Sequence, residues 1–152
     1  MTLTVIAGSA NVPLATSISA ALGVKPCERT VQRFADGELH VAIEESVRGQ
    51  DVYIVQPTSP LVDEHVMELL FLADACRRAG AARLTAIVPY FGYARQDRRA
   101  SGREAVGARV VADLIETAGV ARVVAIDLHA PAIEGFVHIP LEHLSAARPL
   151  AR

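Results

Sequence analysis

The sequence predicts an α/β protein with a doubly wound, mostly parallel sheet and helices on both faces. Three observations support this fold class: short apolar runs alternate with helical patterns, the connections are short, and polar residues follow the apolar runs. In such sheets the carboxyl ends of the strands lie along one edge, and ligands bind there. The sequence therefore also predicts where a site would lie.

The N-terminal elements are a strand and a helix. Leu3–Ala7 is a short apolar run typical of a buried strand. Asn11 is a suitable N-cap for the helix that follows, Pro13 fits its first turn, and Gly23 is a typical residue at its end. The apolar face of this helix consists of Leu14, Ile18 and Leu22.

A β-hairpin is predicted next, because Asp36-Gly37 separates two extended runs, Thr30–Phe34 and Leu39–Glu44. The second run alternates apolar and other residues, which implies one wet face. Since a hairpin is antiparallel, it differs from the elements around it. We expect it to project from the domain and to pair with another subunit.

Three more buried strands are predicted at Asp51–Val55, Leu84–Val88 and Arg122–Asp127. Asp63 is the expected N-cap of the helix between the first two strands. That helix has one apolar face, formed by Val66, Leu69, Leu70, Ala73 and Cys76.

The pattern Ser101-Gly102-Arg103-Glu104 has the form of a capping box and predicts a further helix from about Gly102 to Gly119. Its apolar positions are Val106, Val110, Val111, Leu114 and Ile115. No element is predicted beyond Ala130.

Length and composition indicate one domain, residues 1–152, of a soluble cytoplasmic protein. Hydrophobic residues make up 51% of the chain and charged residues 21%, and the formal net charge is -2. This balance does not indicate a nucleic-acid partner. No apolar stretch is long enough for a membrane span. The two cysteines, Cys27 and Cys76, do not form a disulfide framework of the secreted type.

A basic loop, Pro89–Arg103, is the first candidate for a binding site. It follows a predicted strand, precedes a predicted helix, and contains Arg95, Gln96 and three further arginines. Guanidinium groups and free N–H groups at a helix start can bind the same phosphate. Taken alone, such a charge run is more often a solvated surface loop.

The second candidate is the pair Asp127 and His129, which directly follows a predicted strand. Together they could bind a divalent cation such as Mg²⁺, directly or through water. The alternative is that Asp127 caps a turn and His129 is a hydrogen-bonded buried histidine. The sequence contains no Walker P-loop and no Gly-x-Gly-x-x-Gly after a strand, which argues against those nucleotide-binding classes.

Five segments of the sequence resemble signature runs of the ribose-phosphate diphosphokinases, also called phosphoribosyl pyrophosphate synthetases. They are Phe34–Glu38, Glu45–Gly49, Val66–Leu70, Pro89–Asp97 (PYFGYARQD) and Asp127–Ala130 (DLHA). The resemblance implies a type I phosphoribosyltransferase-like fold and assembly into dimers to hexamers. It also implies Mg²⁺-dependent transfer of the diphosphoryl group of ATP to the C1 hydroxyl of ribose 5-phosphate, with release of AMP.

The resemblance assigns roles to residues at the matching positions. Arg95 and Gln96 match residues that bind ATP, and His129 matches the magnesium ligand of the DLHA run. The hairpin residues Phe34, Asp36 and Glu38 match residues that reach the adenine bound by a neighbouring subunit. A regulatory phosphate site is matched by Arg48 and Arg103.

The resemblance is to the N-terminal, ATP-side half of this family. Arg152 lies about where the family's first domain passes into its second, so we expect the C-terminal domain, with the ribose 5-phosphate loop and the catalytic lysine, to be absent from this chain. No catalytic residue is assigned, and the chain by itself is expected to be inactive. Ala100 replaces an acidic residue of many members, which puts one ATP contact in doubt.

Two other interpretations stay open at this point. The chain could be a natural half-length paralogue that binds nucleotide or regulates a full-length partner without catalysis. More remotely, it could be an unrelated phosphate-binding α/β module.

Overall fold

The computed structural model describes residues 2–151. In chain order, its elements are β1 (Leu3–Ala7), α1 (Val12–Leu22), β2 (Arg29–Arg33), β3 (Leu39–Ile43), β4 (Asp51–Val55), α2 (Val62–Arg78), β5 (Arg83–Val88), α3 (Gly107–Thr117), β6 (Arg122–Ile126), a 3-10 helix (Pro131–Phe136), β7 (Leu141–Leu144) and α4 (Ala147–Leu150). These helices all fall short of the length and apolarity that a membrane crossing requires.

Five strands form one parallel sheet in the order β1-β4-β5-β6-β7. The predicted α/β class and the mostly parallel sheet are confirmed. Because all five strands run in the same direction, the segments after Ala7, Val55, Val88, Ile126 and Leu144 lie at one edge. We refer to this side as the carboxyl edge.

The core lies on both faces of the sheet. On one face α2 and α3 bury a large cluster that includes Ile54, Leu69 and Ile115. On the opposite face α1 packs along β1, where Ala15 is fully buried. The helices on both faces confirm the doubly wound arrangement.

Both ends of α1 follow the prediction. The Asn11 side chain accepts a hydrogen bond from the Leu14 N–H at 3.0 Å, and Gly23 is in the left-handed region with φ 68°. The predicted apolar face is only partly right, because Leu22 is half exposed and Ser19 is buried instead. Ser19 can be buried there because its hydroxyl donates to the Ala15 carbonyl.

After α1 the chain passes along the free edge of β1. Cys27 pairs with Ile6 in a single parallel bridge, and the Cys27 N–H donates to the Val5 carbonyl at 2.8 Å. This short contact covers the outer edge of the sheet and leads the chain to the hairpin.

The predicted hairpin is present as a separate antiparallel sheet of β2 and β3. Its apolar side is not left for another subunit, because Val41 and Ile43 pack against the main core of the same chain. An ion pair between Arg33 and Glu64 also joins it to α2, with the two side chains 2.7 Å apart. The turn end is free, and Phe34 there is 51% exposed.

Two predicted helix starts are wrong. The capping-box pattern does not begin a helix at Gly102, because α3 begins at Gly107. The Glu104 carboxylate does accept from the Ala100 and Ser101 N–H groups, but these bonds close a turn within the loop. At α2 the N-cap is Leu61, and Asp63 lies in the first turn, where a negative charge favours the helix dipole.

The C-terminal elements were not predicted from the sequence. The 3-10 helix, β7 and α4 follow Ala130, where no element was predicted. In α3 the buried positions include Val111 and Ile115 as expected, but Val110 and Leu114 are 52% and 42% exposed.

Candidate functional site

A cleft of about 740 Å³ lies at the carboxyl edge, between the loops after β5 and β6 and the start of α2. Its lining brings together four predicted site residues: Arg95, Gln96, Asp127 and His129. They come from two loops more than 30 positions apart in the sequence. The parallel sheet places them together because it puts the ends of β5 and β6 side by side.

Arg95 and Gln96 lie on a short, firmly held turn of the Pro89–Arg103 loop. Both side chains are exposed to the cleft. The Gln96 N–H donates to the Tyr93 carbonyl at 2.8 Å, and the Gln96 carbonyl accepts from the Ala108 N–H at 3.2 Å. The turn is therefore attached directly to the first residues of α3.

Gly107, the first residue of α3, makes room for the Gln96 side chain. A Cβ at this position would lie 2.6 Å from Gln96 Oε1 and 3.1 Å from Tyr93 Cδ1. Sequence reasoning missed Gly107. Its position inside the predicted Gly102–Gly119 helix was the available signal for a close approach, because glycine is unfavourable in a helix interior unless it has a packing role.

Tyr93 connects this loop to α2. Its backbone is in the left-handed region, with φ 64°, and its hydroxyl donates to Asp63 Oδ1. That hydrogen bond raises the pKa of the Tyr93 phenol. The role found for Asp63 is thus a link to the loop and not the predicted N-cap.

The Asp127 carboxylate caps a turn. Oδ1 accepts from the Ser145 hydroxyl at 2.9 Å, and Oδ2 accepts from the Ala146 N–H at 3.1 Å. Asp127 itself has φ 45°, a conformation that Asp tolerates better than most residues. This is the alternative that the sequence left open for Asp127, and His129 is exposed beside it.

His143, on β7, fixes the turn between Asp127 and His129. Its Nε2 accepts a hydrogen bond from the Leu128 N–H at 2.9 Å, so the neutral ring carries its proton on Nδ1. Nδ1 lies 3.7 Å from Glu134 Oε1. Sequence reasoning could not find His143, because no element was predicted there.

The donor set for Mg²⁺ in this chain is partial. Within residues 2–151 no three His, Cys, Asp or Glu side chains converge as a metal-binding group. Each Asp127 oxygen has one hydrogen bond and keeps further lone-pair capacity. Magnesium commonly takes one or two protein carboxylates and completes its shell with water and substrate phosphates. Asp127 supplies one such carboxylate, and the imidazole of His129, a ligand type that suits other metals better, fits a contact to a magnesium-bound water.

The hairpin residues do not line this cleft. Phe34, Asp36 and Glu38 are exposed at the turn end of the hairpin. Glu38 borders a separate depression of about 510 Å³ against α2. Asp36 organises the turn by accepting from the Glu38 N–H at 3.0 Å, and Gly37 has φ 93°, as the Asp-Gly signal predicted.

Arg48 and Arg103 lie at opposite edges of the sheet. Arg103 is in the loop after β5, at the carboxyl edge. Arg48 comes just before β4, and its guanidinium lies against Gly80, at the end of α2. The structure does not bring these two residues together within one chain.

Comparison with known proteins agrees with this geometry. The family model described as the N-terminal domain of ribose phosphate pyrophosphokinase, the other name of the diphosphokinases, matches residues 3–119. Ribose-phosphate pyrophosphokinases of Staphylococcus saprophyticus and Staphylococcus epidermidis are 53% and 54% identical to this chain over 142 residues. Each alignment covers 93% of this chain and 44% of the relative.

A solved structure gives the same result. The chain matches phosphoribosylpyrophosphate synthetase from Mycobacterium smegmatis with a TM-score of 0.95 and 41% identity, over 99% of this chain and 50% of that one. The chain thus spans about half the length of the relatives it matches. It belongs to the ribose-phosphate pyrophosphokinase family and carries that family's N-terminal domain.

Proposed function

We propose that this domain binds Mg²⁺-ATP in the carboxyl-edge cleft and presents it, within a ribose-phosphate pyrophosphokinase, for transfer of the diphosphoryl group to ribose 5-phosphate. The observation that carries the proposal is the convergence of Arg95, Gln96, Asp127 and His129 on one cleft. The names of the relatives supply the reaction class.

In this reaction the C1 hydroxyl oxygen of the sugar forms a bond to the β-phosphorus of ATP. The bond from that phosphorus to the α–β bridging oxygen breaks, AMP leaves, and the hydroxyl proton is lost. Such transfers depend mainly on positioning and on neutralising charge. Arg95 is suited to both tasks, because a guanidinium donates charge-assisted hydrogen bonds to phosphate oxygens.

Gln96 and the 127–129 turn would complete the nucleotide site. The Gln96 amide offers both a donor and an acceptor, so it suits a base or ribose contact as well as a phosphate. Asp127 and His129 would hold the magnesium ion, which would supply positive charge to the polyphosphate. Leu128, whose N–H is bound to His143, keeps these two side chains on one turn.

We also propose that the nucleotide site is shared between two subunits of a homo-oligomer, a dimer or a larger assembly up to a hexamer. Phe34, Asp36 and Glu38 are exposed at the hairpin end and do not line their own cleft. A neighbouring chain is therefore the site that they could reach. Likewise, a regulatory phosphate bound by both Arg48 and Arg103 would require residues of two chains, because the two lie at opposite edges.

Calorimetry of Mg²⁺-ATP binding tests the proposed site. Arg95→Ala should lower the affinity by roughly ten- to a hundredfold, which corresponds to ~1.5–3 kcal/mol for a hydrogen bond to a charged group. Arg122→Ala is the matched control, because Arg122 opens β6 at the opposite edge and pairs there with Glu142.

The control should leave ATP affinity unchanged, since its ion pair is largely exposed and contributes little. Equal ATP affinities for the Arg95→Ala and Arg122→Ala variants would indicate that the Pro89–Arg103 loop is a solvated surface segment and not part of an ATP site. Absence of ATP binding by the unmodified chain, at a concentration where it is dimeric or larger, would contradict the proposal as a whole.

A further inference from the structure

We propose that Thr58 is a positioning residue of the nucleotide cleft: it fixes the Tyr90–Gly92 turn and thereby sets the place of Arg95 and Gln96. Thr58 lies in the loop between β4 and α2 and does not line the cleft. The proposal rests on the proposed function, because its effect is on nucleotide affinity.

Thr58 makes three hydrogen bonds to the loop after β5, although 32 to 34 positions separate the partners. Its backbone N–H and its hydroxyl both donate to the Tyr90 carbonyl at 2.9 Å. The same hydroxyl accepts from the Gly92 N–H at 2.6 Å. Thr58 is 1% exposed and Gly92 is buried, so water cannot replace these bonds in the folded protein.

Gly92 allows the loop to approach this close. A Cβ at position 92 would lie 2.5 Å from Val62 Cγ1, 2.8 Å from the Thr58 carbonyl oxygen and 3.0 Å from Thr58 Oγ1. Gly92 has no positive φ, so the backbone conformation does not require a glycine here. A glycine is required because a side chain would not fit. The loop is therefore seated directly on Thr58.

Position 92 is three residues from Arg95. Between them the chain turns at Tyr93, whose carbonyl accepts from the Gln96 N–H, while the Gln96 carbonyl accepts from Ala108. The turn with Arg95 is thus held at one end by Thr58 and at the other by α3. Releasing the Thr58 end would let the guanidinium move by the fraction of an ångström that weakens oriented contacts.

The test compares two substitutions that separate the hydroxyl from the shape of the side chain. Thr58→Val keeps the shape but leaves the buried Gly92 N–H without an acceptor, whereas Thr58→Ser keeps the hydroxyl. Thr117→Val is the control, because Thr117 is an exposed helix residue whose hydroxyl donates to the Asp113 carbonyl within the same helix. Each chain is studied by calorimetry with Mg²⁺-ATP and by hydrogen exchange of the 89–96 segment.

We expect Thr58→Val to speed exchange in the 89–96 segment and to lower ATP affinity about tenfold. The loop would shift to give the Gly92 N–H another partner, and ATP binding would have to restore the original position against that gain. Thr58→Ser and Thr117→Val should bind ATP like the unmodified chain. If Thr58 had a purely structural role, Thr58→Val would lower the stability of the protein, but ATP affinity would not be lost in the Val variant and retained in the Ser variant. Unchanged affinity and unchanged exchange in Thr58→Val would overturn the inference, as would equal losses in the Ser and Val variants.

A second variant covers the case in which Thr58→Val does not fold. Gly92→Ala forces the loop away from Thr58 and should cause the same loss of affinity, and normal affinity in that variant would overturn the inference. If the unmodified chain binds no ATP, the proposed function fails. Hydrogen exchange then tests separately whether Thr58 holds the loop in place, because unchanged exchange of the 89–96 segment in Thr58→Val would overturn that role.

Discussion

The contact between Gly8 and Gln56 allows a sharp test of how the carboxyl edge is packed. Gln56 is fully buried, its Oε1 accepts from the Ala10 N–H at 3.2 Å, and its amide nitrogen donates to the His65 carbonyl at 3.4 Å. A Cβ on Gly8 would lie 2.0 Å from Gln56 Oε1 and 2.4 Å from its Cδ. Gly8→Ala therefore cannot be accommodated while the buried amide stays in place.

The effects of Gly8→Ala and Gln56→Ala on the free energy of unfolding should therefore not be additive. Overpacking of this kind costs about 3 kcal/mol, so Gly8→Ala alone should be strongly destabilising. Gln56→Ala alone loses two hydrogen bonds and leaves a cavity, at a cost of about 2–4 kcal/mol. In the double variant the two shortest contacts are gone, but a Cβ on residue 8 would still lie 2.9 Å from the Cβ of residue 56. We therefore expect the double variant to be more stable than the sum of the two single costs predicts, by a coupling energy of about 1–2 kcal/mol.

Urea unfolding followed by far-UV circular dichroism measures the four stabilities, and Gly135→Ala is the control. Nothing lies within 4 Å of a Cβ at Gly135, and its φ is not positive. That substitution should change stability by less than about 0.5 kcal/mol, the usual range for surface positions. Additivity of the Gly8 and Gln56 substitutions to within about 0.5 kcal/mol would refute the reasoning.

Three further predictions concern activity, assembly and pH. The 152-residue chain assayed by itself should release no AMP from ATP and ribose 5-phosphate. The reason is that the resemblance places the sugar-phosphate loop in the half of the relatives that this chain does not span. Release of AMP by a preparation free of any longer enzyme would contradict this. Phe34→Ala, at the exposed hairpin end, should weaken both ATP binding and self-association measured by sedimentation, and an unchanged mass and affinity would argue against a shared site. The pKa of Glu104 is lowered because the Ala100 and Ser101 N–H groups donate to its carboxylate. The loop turn should therefore be intact above the ordinary pKa of 4.5 and should open as the pH falls through the lowered pKa. Amide exchange at Ala100 and Ser101 that does not change over this pH range would contradict the prediction.

Phe34 is a better probe of assembly than the alternating apolar residues of the hairpin. Val41 on β3 packs against the core of its own chain. A charge there would disturb folding before it disturbed any subunit contact. Period-2 patterning predicts which side of a ribbon is apolar, but it does not reveal what covers that side.

The parts of the fold that local signals specify were predictable. The apolar runs of β1, β4, β5 and β6, the Asn11 cap and the Asp36-Gly37 turn all have the predicted structure. The sheet geometry then brings Arg95 and His129 into one cleft. This part of the candidate site needed only strand ends and the rule for parallel sheets.

Most of the failures come from contacts between residues distant in sequence, and the capping box is the exception. Glu104 accepts from the nearby Ala100 and Ser101 N–H groups, which closes a turn within the loop, and the helix starts only at Gly107. The importance of Thr58 and Gln56 comes from contacts with segments 32 to 34 and 46 positions away, which the local sequence around them does not reveal. β7 was missed because its strand signal is weak and its pairing with β6 supplies the order.

The two outer strands of the parallel sheet are protected from unwanted pairing in different ways. At β1 the contact through Cys27 occupies part of the strand edge, so a foreign strand would have to displace the protein's own backbone. At β7 protection comes from shortness, from Pro140 before the strand and from the charge of Glu142. Protection of the two edges therefore depends on backbone packing at β1 and on shortness, proline and charge at β7, where Glu142→Val would remove the charge.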